Sequence, residues 1–324
     1  TLTLIENALF IINLDDYSTG MDFDKFSQNM FHGLNAHNRW FDKAMSIAIE
    51  NNGRAAMNGE HSPCDALIPS IIFQWIGLEP TLPNTPVSGR SIISPKRIRF
   101  TINEQTLKDI FEAQKRIDPM IADSDIVILQ FSEYGIQFIK KNDAYIQMVL
   151  QLAYFKTHQK VVPTYETGST RQFLHGRTDT IRTLSLESKA FVQQKYNLLQ
   201  AATKAHSIYS QDVSNGKGCD RYLLGLKLLL QEDESHPMFT ETIFIKSQEW
   251  ILSTSGLNSG DKLNGTGFGC VYPNGYGINY LSGEYLLKFG IESKYSSSET
   301  DSNAFRQNII NALKDMKKIC EQIN

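Results

Sequence analysis

Short apolar segments of strand length alternate with amphipathic helical segments along this chain, and this alternation restricts the fold more than any other feature. The segment "DIVILQF" (125–131) has the length and β-branched content of a buried strand, and it lies between helical patterns at 104–124 and 143–158. Further strand-like runs lie at 4–14, 96–102, 249–255, 275–281 and 285–293, and further helical patterns at 187–210, 220–232 and 302–323. Because strands that alternate with helices form layered structures, the sequence predicts an α/β sandwich with mixed sheets.

A proline-rich connection divides the sequence into two parts. Residues 78–95 contain four prolines with scattered serine and glycine, which is typical of an irregular connection. A chain of 324 residues is long enough for about two domains. We therefore expect residues 1–100 to form part of one domain and residues 101–324 to form a second α/β domain.

Composition and charge argue against several classes of protein. The formal net charge is −3 and no cluster of lysine and arginine is interleaved with aromatic residues, so a nucleic-acid ligand is not expected. The four cysteines are far apart and form no C-x-x-C pair, so the sequence predicts neither a metal site nor a disulfide framework. The longest apolar runs are well short of the ~18 residues of a membrane span. We therefore expect a soluble protein of a reducing compartment.

A histidine between a predicted hairpin and a predicted helix is the first candidate for chemistry. Residues 44–57 alternate in polarity around the turn "ENNG", which predicts a β-hairpin. In "SPCD" (62–65) the serine suits an N-cap and the proline the first helical position, which predicts a helix over 62–77. A helix start beside His61 favours the neutral imidazole, the form that accepts a proton. The alternative is that Asp65 only caps the helix and His61 is an ordinary junction residue.

Four motifs, in order along the chain, resemble those of a known family. They are "NGEHSPCDA" (58–66), "TYETGSTRQFLHGRTDTIRT" (164–183), "CDRYLLGLK" (219–227), and "LSTSGL" (252–257) followed by "FGCVYPNGYGINY" (268–280). From about residue 1 to about residue 322 the chain resembles the choline/carnitine O-acyltransferase family, and its first motif looks like that of the fungal-type carnitine O-acetyltransferases. The resemblance implies two α/β domains of the CoA-dependent, chloramphenicol acetyltransferase-like type, with a tunnel between them. Family members are about twice as long, so it also implies that an amino-terminal part is missing.

The resemblance implies a mechanism of direct acyl transfer without an acyl-enzyme. His61 matches the general base that takes a proton from the carnitine hydroxyl, or from the CoA thiol in the reverse direction. Asp65 matches a position that helps to hold the imidazole, so capping and catalytic interpretations are compatible. Ser255 matches the hydroxyl that donates to the oxyanion of the tetrahedral intermediate, and removing one such donor typically slows a reaction by ~10²–10³.

The resemblance also implies how carnitine is recognised. It assigns the carnitine carboxylate to Tyr165, Thr178 and Arg221, places Ser253 near the same end, and places Phe268 beside the trimethylammonium group. A guanidinium at a helix start suits a carboxylate that choline lacks, so Arg221 favours carnitine over choline. An aromatic ring beside a quaternary ammonium contributes a cation–π attraction of ~0.5–2 kcal/mol. The alternative for Arg221 is a surface ion pair with Asp220 or Glu232.

The expected CoA and acyl sites are less complete. Lys140 and Lys141 match part of a lysine pair that holds the CoA phosphate, but Ile136 stands where the family often has the first lysine. Asp143, at the start of the next helix, matches a residue near the adenine or pantetheine end. Thr266, in "LNGTG", matches the acyl pocket, where its intermediate size favours short acyl groups.

Two kinds of protein remain as alternatives. The first is an enzyme that moves an acetyl group between CoA and carnitine, with CoA or acetyl-CoA as co-substrate and no tightly bound cofactor. The second is a non-catalytic fragment that binds CoA or acylcarnitine, and acyltransferases of choline or longer-chain specificity are further options. We expect a monomer that needs the missing amino-terminal half, acting in fatty acid metabolism in a mitochondrion or peroxisome.

Overall fold

The computed structural model describes residues 2–78, 94–139, 142–193, 196–257 and 260–323. In these residues the helices are Leu2–Glu6 (α1), Phe23–His32 (α2), Leu67–Leu78 (α3), Glu104–Ala122 (α4), Ile136–Ile139 (α5), Asn142–His158 (α6), Leu186–Val192 (α7), Leu199–Asp212 (α8), Asp220–Leu228 (α9), Pro237–Thr240 (α10), Thr242–Ser247 (α11) and Ser302–Ile323 (α12). The strands are Ile11–Leu14 (β1), Met45–Ile49 (β2), Ala55–Gly59 (β3), Ser124–Phe131 (β4), Thr164–Ser169 (β5), Thr178–Arg182 (β6), Leu252–Leu257 (β7), Tyr276–Ser282 (β8) and Leu287–Lys294 (β9). A 3₁₀ turn at Tyr196–Leu198 precedes α8, and a π-helical turn at Val213–Lys217 follows it.

The chain divides into two compact units, each with a mixed sheet. The first unit comprises residues 1–22 and 28–122, and the second comprises residues 23–27 and 123–324. In the first sheet β1 pairs with β2 in parallel and β2 pairs with β3 antiparallel. The second sheet has the order β4-β9-β8-β7-β5-β6, with β8, β7 and β5 parallel and the other pairs antiparallel. The prediction of an α/β protein with mixed sheets is therefore confirmed.

A buried polar network stabilises the first unit. Arg39 donates to both carboxylate oxygens of Asp15, at 2.9 and 3.0 Å, and also to the Asn29 side chain at 3.0 Å. The Asn29 amide in turn donates to Glu50 at 2.9 Å. All four residues are buried, the opposite charges of Arg39 and Asp15 are paired, and the Glu50 carboxylate is hydrogen-bonded. The network connects α2 to the strands β1 and β2.

Three local expectations in the first unit are wrong. The hairpin of β2 and β3 is present, but α3 begins at Leu67 and not at Ser62. The Ser62 backbone N–H and hydroxyl both donate to the Glu60 carboxylate, at 3.0 and 2.8 Å, so Ser62 is occupied in a local turn and caps no helix. Segment 96–102 forms no strand, and every residue in it is exposed. Segment 4–14 contains part of α1 and only the short strand β1.

The second unit follows the sequence pattern more closely. The strands β4, β7, β8 and β9 and the helices α6 and α12 occupy the predicted segments within three residues at each end. The predicted helix 187–210 is divided, since α7 ends at Val192 and α8 begins at Leu199. The proline-rich connection at 78–95 lies mostly outside the described residues.

The two faces of the six-stranded sheet differ in chemistry. Helices α6 and α12 pack together, and their buried side chains share one cluster with sheet residues such as Ile278, Phe289 and Ile291. Neighbouring residues of a strand point to opposite faces, so Gly277, Asn279 and Gly290 lie on the other side. We call this second side the polar face, and define it by Tyr165, Thr178, Ser253, Ser255 and Asn279.

Candidate active site

His61 lies next to a carboxylate in the first unit. Its Nδ1 is 3.7 Å from Oδ1 of Asp65, four residues later. The His61 side chain is 74% exposed, whereas that of Asp65 is 14% exposed. An accessible imidazole with a carboxylate on one side has the arrangement of a base held by a positioning group. Because α3 begins at Leu67, the expectation that a helix N-terminus adjoins His61 is not met.

Sheet register brings three predicted residues of the second unit to one place. Tyr165 of β5 lies opposite Ser253 of β7 in a parallel pair. Residues directly opposite each other in neighbouring strands share a face and lie ~4.8 Å apart. Ser255 is two residues beyond Ser253 and therefore on the same face, one pleat further along β7. Thr254, between the two serines, points the other way and accepts a hydrogen bond from Gln147 of α6 at 2.8 Å.

The Tyr165 ring is aimed along the strand toward Ser255. The Thr167 hydroxyl donates to the Tyr165 hydroxyl at 3.5 Å, which places the phenol oxygen over the next pleat of β5. Because β5 and β7 are parallel, that pleat is level with Ser255. Thr178 begins β6 opposite Ser169, one further pleat along the sheet. The hydroxyls of the polar face therefore lie on neighbouring pleats of three adjacent strands.

The start of α9, which carries Arg221, is fixed to the edge strand β6. Arg182 donates to both carboxylate oxygens of Asp220, at 2.9 and 2.6 Å, and the Asp220 side chain is only 5% exposed. The Arg182 guanidinium also lies 4.8 Å from the centre of the Trp250 ring, which in turn contacts Tyr165 edge-on at 5.8 Å. The Trp250 side chain thus packs against both Tyr165 and Arg182, the residue that binds Asp220 at the start of α9.

Arg221 itself is exposed. Its backbone N–H donates to Asp179 at 3.2 Å, next to Thr178 in β6. The alternative of an ion pair with Asp220 does not hold, because Asp220 is bound by Arg182. In the part of the chain that is described, the guanidinium of Arg221 makes no ion pair, which leaves its five N–H donors for solvent or an anion.

The segment that carries Thr266 and Phe268 crosses the polar face at two glycines. A Cβ on Gly290 would lie 1.7 Å from the Thr266 carbonyl oxygen, and a Cβ on Gly277 would lie 2.6 Å from the Phe268 carbonyl oxygen. Only glycine permits such close approach of one backbone to another. Lys288 fixes the start of the segment by donating to the carbonyl oxygens of residues 260 and 263, at 2.8 and 2.6 Å. Burial lowers the pKa of Lys288, although Asp261 opposes this.

The structure bears on only one of the expected CoA residues. Lys140 and Lys141 lie outside the described residues. Asp143 is the second residue of α6 and keeps an exposed surface. Burial of its carboxyl group nevertheless raises the pKa of Asp143 to about 6, and the nearby Glu166 carboxylate adds to the rise. Ile136, where a lysine was expected, is the first residue of α5.

Several supporting residues were not identified from the sequence. On the face opposite the hydroxyls, Glu166 accepts hydrogen bonds from His206 at 2.6 Å and from Tyr280 at 2.8 Å. Thr254 donates to the Tyr165 carbonyl at 2.8 Å and so fixes the backbone beside the predicted site. A signal was available for Glu166, since it is a charged residue in an otherwise hydroxyl-rich strand. What it contacts depends on strand order, which the sequence does not specify.

Two general properties of the described residues limit the chemistry. Among them, no group of three or more histidine, cysteine, aspartate or glutamate side chains is placed to bind a metal ion. Within the same ranges, no helix has both the length and the apolar character needed to cross a membrane.

Residues 1–311 match a family model described as Choline/Carnitine o-acyltransferase. The chain is 34% identical to carnitine O-acetyltransferase of Mus musculus, over 98% of this chain and 54% of the mouse protein. It is 30% identical to choline O-acetyltransferase of Rattus norvegicus, over 99% of this chain and 54% of the rat protein. It is also 30% identical to the mitochondrial carnitine O-acetyltransferase of Saccharomyces cerevisiae, over 94% of this chain and 48% of the yeast protein. The chain thus spans about half the length of the curated relatives it matches.

Solved structures align more weakly. The epimerization domain from the third module of tyrocidine synthetase B aligns at 9% identity with a TM-score of 0.41, over 95% of this chain and 81% of that domain. The wax ester synthase/diacylglycerol acyltransferase from Marinobacter aquaeolei VT8 aligns at 10% identity with a TM-score of 0.40, over 96% of this chain and 80% of that enzyme.

Proposed function

The chain belongs to the choline/carnitine O-acyltransferase family, and we propose that it transfers a short acyl group, acetyl, between coenzyme A and the hydroxyl of carnitine. The observation that carries this proposal is the common position of Tyr165, Ser253 and Ser255 on the polar face of the six-stranded sheet. By resemblance to the family, Tyr165 and Ser253 match the carnitine end and Ser255 matches the oxyanion donor. Their convergence supports a site that binds a polar substrate beside an oxyanion donor.

In the proposed reaction His61 removes the proton from the carnitine hydroxyl. The resulting oxygen nucleophile attacks the thioester carbonyl carbon, and the carbonyl oxygen becomes the oxyanion of a tetrahedral intermediate. The Ser255 hydroxyl donates a hydrogen bond to this oxygen, which stabilises charge that is absent in the ground state. The intermediate then expels the CoA thiolate, which recovers the proton from the His61 imidazolium. Asp65, whose carboxylate lies 3.7 Å from the imidazole, holds the ring in place for these proton transfers.

Rates of two variants test these roles. His61→Ala should abolish transfer and leave CoA binding within a few-fold, because the imidazole moves a proton and supplies little affinity. Ser255→Ala should lower kcat by ~10²–10³. His37→Ala is the matched control, since His37 is another exposed histidine of the first unit, hydrogen-bonded to Gln114, and has no proposed role. Near-normal rates in His61→Ala or Ser255→Ala would remove that residue from the mechanism.

We assign carnitine over choline from the Arg221 position. Its guanidinium is exposed at the start of α9, next to the end of β6 that carries Thr178. Arg221→Asn should raise the KM for carnitine far more than that for choline, because only carnitine loses a charge-assisted pair of ~1.5–3 kcal/mol. Lys227→Asn changes the same net charge on the same helix and is the control. An equal loss with both substrates would show that Arg221 has a structural role.

A non-catalytic fragment that binds CoA or acylcarnitine is the competing proposal, because the chain spans about half the length of its curated relatives. Activity of this chain alone, compared with that of the proposed complete polypeptide, which adds an amino-terminal half as in the relatives, distinguishes the two. Transfer by the complete polypeptide but not by the chain alone would support dependence on further residues. Absence of transfer from both, with retained CoA binding, would support the binding fragment.

For cellular location we propose a mitochondrion, on the basis of the yeast relative named mitochondrial. A peroxisome is the alternative. Fractionation of the source organism, with antibody detection of the protein beside markers of both organelles, tests this. Recovery with the peroxisomal marker alone would contradict the mitochondrial proposal.

A further inference from the structure

Asn279 is a buried polar side chain whose hydrogen-bonding capacity is not used within the described chain. It lies in the middle of β8, is only 3% exposed, and its Oδ1 has no hydrogen-bond partner. Both neighbours, Ile278 and Tyr280, point to the apolar face and belong to the core cluster. Buried polar atoms in folded proteins are nearly always hydrogen-bonded, so the Asn279 carboxamide, whose Oδ1 is unpaired, is available to a partner from outside the chain.

The position of Asn279 in the sheet indicates what that partner is. Asn279 lies directly opposite Ser255 of β7 on one side and Gly290 of β9 on the other. All three residues share the polar face, because directly opposed residues point the same way. Asn279 therefore occupies the place next to the proposed oxyanion donor, one strand away.

The other neighbour of Asn279 marks the acyl side of the site. Gly290 has no side chain, and the Thr266 carbonyl oxygen lies over it, 1.7 Å from where a Cβ would be. In the proposed function Thr266 lies at the acyl pocket. Asn279 thus lies between the residue proposed to hold the oxyanion and the segment proposed to limit the acyl chain, which is where the acyl carbonyl group would lie.

The spacing fits two donors to a single oxygen. Donors that each lie ~2.9 Å from one acceptor, at a tetrahedral angle, are ~4.7 Å apart. Side chains standing side by side on neighbouring strands are ~4.8 Å apart. A carboxamide carries both an acceptor and an NH₂ donor, and rotation about its last bond presents either one to the same point.

We infer that Asn279 is a second hydrogen-bond donor to the acyl carbonyl oxygen, acting beside Ser255. This inference rests on the proposed function. During attack on the thioester, electron density moves from the C=O bond to the oxygen, and the Asn279 NH₂ and the Ser255 hydroxyl both donate to it. No proton leaves the amide, so its part in the step is to bind the oxygen and stabilise its charge.

Kinetics of two isosteric variants provide the first test. Asn279→Leu keeps the approximate volume and removes the donor, so kcat/KM for acetyl transfer should fall ~10²-fold. Asn279→Asp keeps the shape and replaces the donor with a negative charge beside a developing oxyanion, so its loss should exceed that of Asn279→Leu. The KM for carnitine should change less than threefold in both. The inference would be overturned if the loss of activity were in proportion to a loss of thermal stability. Equal rates in Asn279→Leu and the unaltered protein would also overturn it.

A matched control distinguishes catalysis from folding. Asn13 of β1 is likewise a buried asparagine, 6% exposed, with an unpaired Oδ1, and it lies in the first unit. Asn13→Leu should leave kcat/KM unchanged. If Asn13→Leu and Asn279→Leu lower the rate equally, the effect is structural and the inference fails.

The second measurement does not need turnover. The infrared stretch of [1-¹³C]acetyl-CoA reports hydrogen bonds to its carbonyl oxygen, which lower the frequency on binding. Both Asn279→Leu and Ser255→Ala should return the frequency part of the way to its value in water-free solvent, whereas Asn13→Leu should not. An identical frequency in Asn279→Leu and the unaltered protein overturns the inference even if transfer is observed. A normal frequency pattern without any transfer would instead count against the proposed function.

Discussion

Replacing Gly290 with alanine tests whether the polar face is built as described. The added methyl group would lie 1.7 Å from the Thr266 carbonyl oxygen, whereas real Cβ atoms essentially never come within 3.0 Å of another heavy atom. The two backbones must therefore separate by at least about 1.3 Å, a distance that follows from those two values. The nearest atoms to the added methyl group all belong to the backbone of residues 266 and 267, so the segment that carries Thr266 has to move.

The size of the effect follows from what holds that segment. Lys288 donates to residues 260 and 263, Gln130 donates to the Asn264 carbonyl at 3.1 Å, and the Cys270 N–H donates to Glu292 at 2.6 Å. A shift of this size weakens several of these bonds at once, and overpacking of a close-packed site typically costs ~1–3 kcal/mol. At ~2–4 °C per kcal/mol for a unit of this size, Tm should fall by about 2–12 °C.

Differential scanning calorimetry of Gly290→Ala measures that fall, and Gly225→Ala is the control. A Cβ on Gly225, inside α9, meets nothing within 4 Å. There the substitution should raise stability by ~0.5–1 kcal/mol, because alanine favours the helix. The ratio of kcat/KM values for octanoyl-CoA and acetyl-CoA should change only in Gly290→Ala. An unchanged Tm and an unchanged ratio in Gly290→Ala would refute the described crossing of the sheet.

Three further predictions concern the same unit. Arg182→Met should lower the free energy of unfolding by ~2–4 kcal/mol in urea titrations, because it leaves the buried Asp220 carboxylate unpaired, and adding Asp220→Asn should restore part of the loss; no recovery in the double variant would contradict this. Because the pKa of Asp143 is about 6 in the folded protein, against a usual value of 3.8, the folded protein binds this proton more tightly than the unfolded chain. Stability should therefore fall as pH rises from about 4 to about 6, and Asp143→Asn should flatten that part of the Tm profile, whereas an identical profile would count against it. Thr266→Gly should raise the octanoyl-to-acetyl ratio of kcat/KM and Thr266→Met should lower it, since each accommodated CH₂ contributes ~0.8 kcal/mol; an unchanged ratio in both would place Thr266 outside the pocket.

The sequence predicted four strands and two long helices of the second unit to within three residues at each end, and for a physical reason. Segment 125–131 contains the apolar run 126–129 and forms a strand in which only Gln130 is exposed, and segment 302–323 has the periodicity of a helix with one buried side. Local sequence patterns suffice to predict an element when the burial of each residue agrees with its propensity for helix or strand. In the first unit they did not suffice, because the Glu60 carboxylate competes for Ser62 and displaces the expected helix start.

The candidate site was predictable only in part. The family resemblance indicated Ser253, Ser255 and Tyr165, but their common face depends on the parallel pairing of β5 with β7, which brings together residues that are far apart in the chain. Asn279 could not be recognised from "GYGINYL", because its importance depends on lying between Ser255 and Gly290. The roles of His61, Arg221 and the CoA residues remain predictions.

One competition experiment tests the central claim most directly. The complete polypeptide is mixed with [¹³C]acetyl-CoA and equal concentrations of carnitine and choline, and both labelled esters are measured by mass spectrometry. The account predicts that acetylcarnitine forms in large excess over acetylcholine, and that Ser255→Ala slows its formation by ~10²–10³. A mixture dominated by acetylcholine, or the absence of both esters, would contradict it.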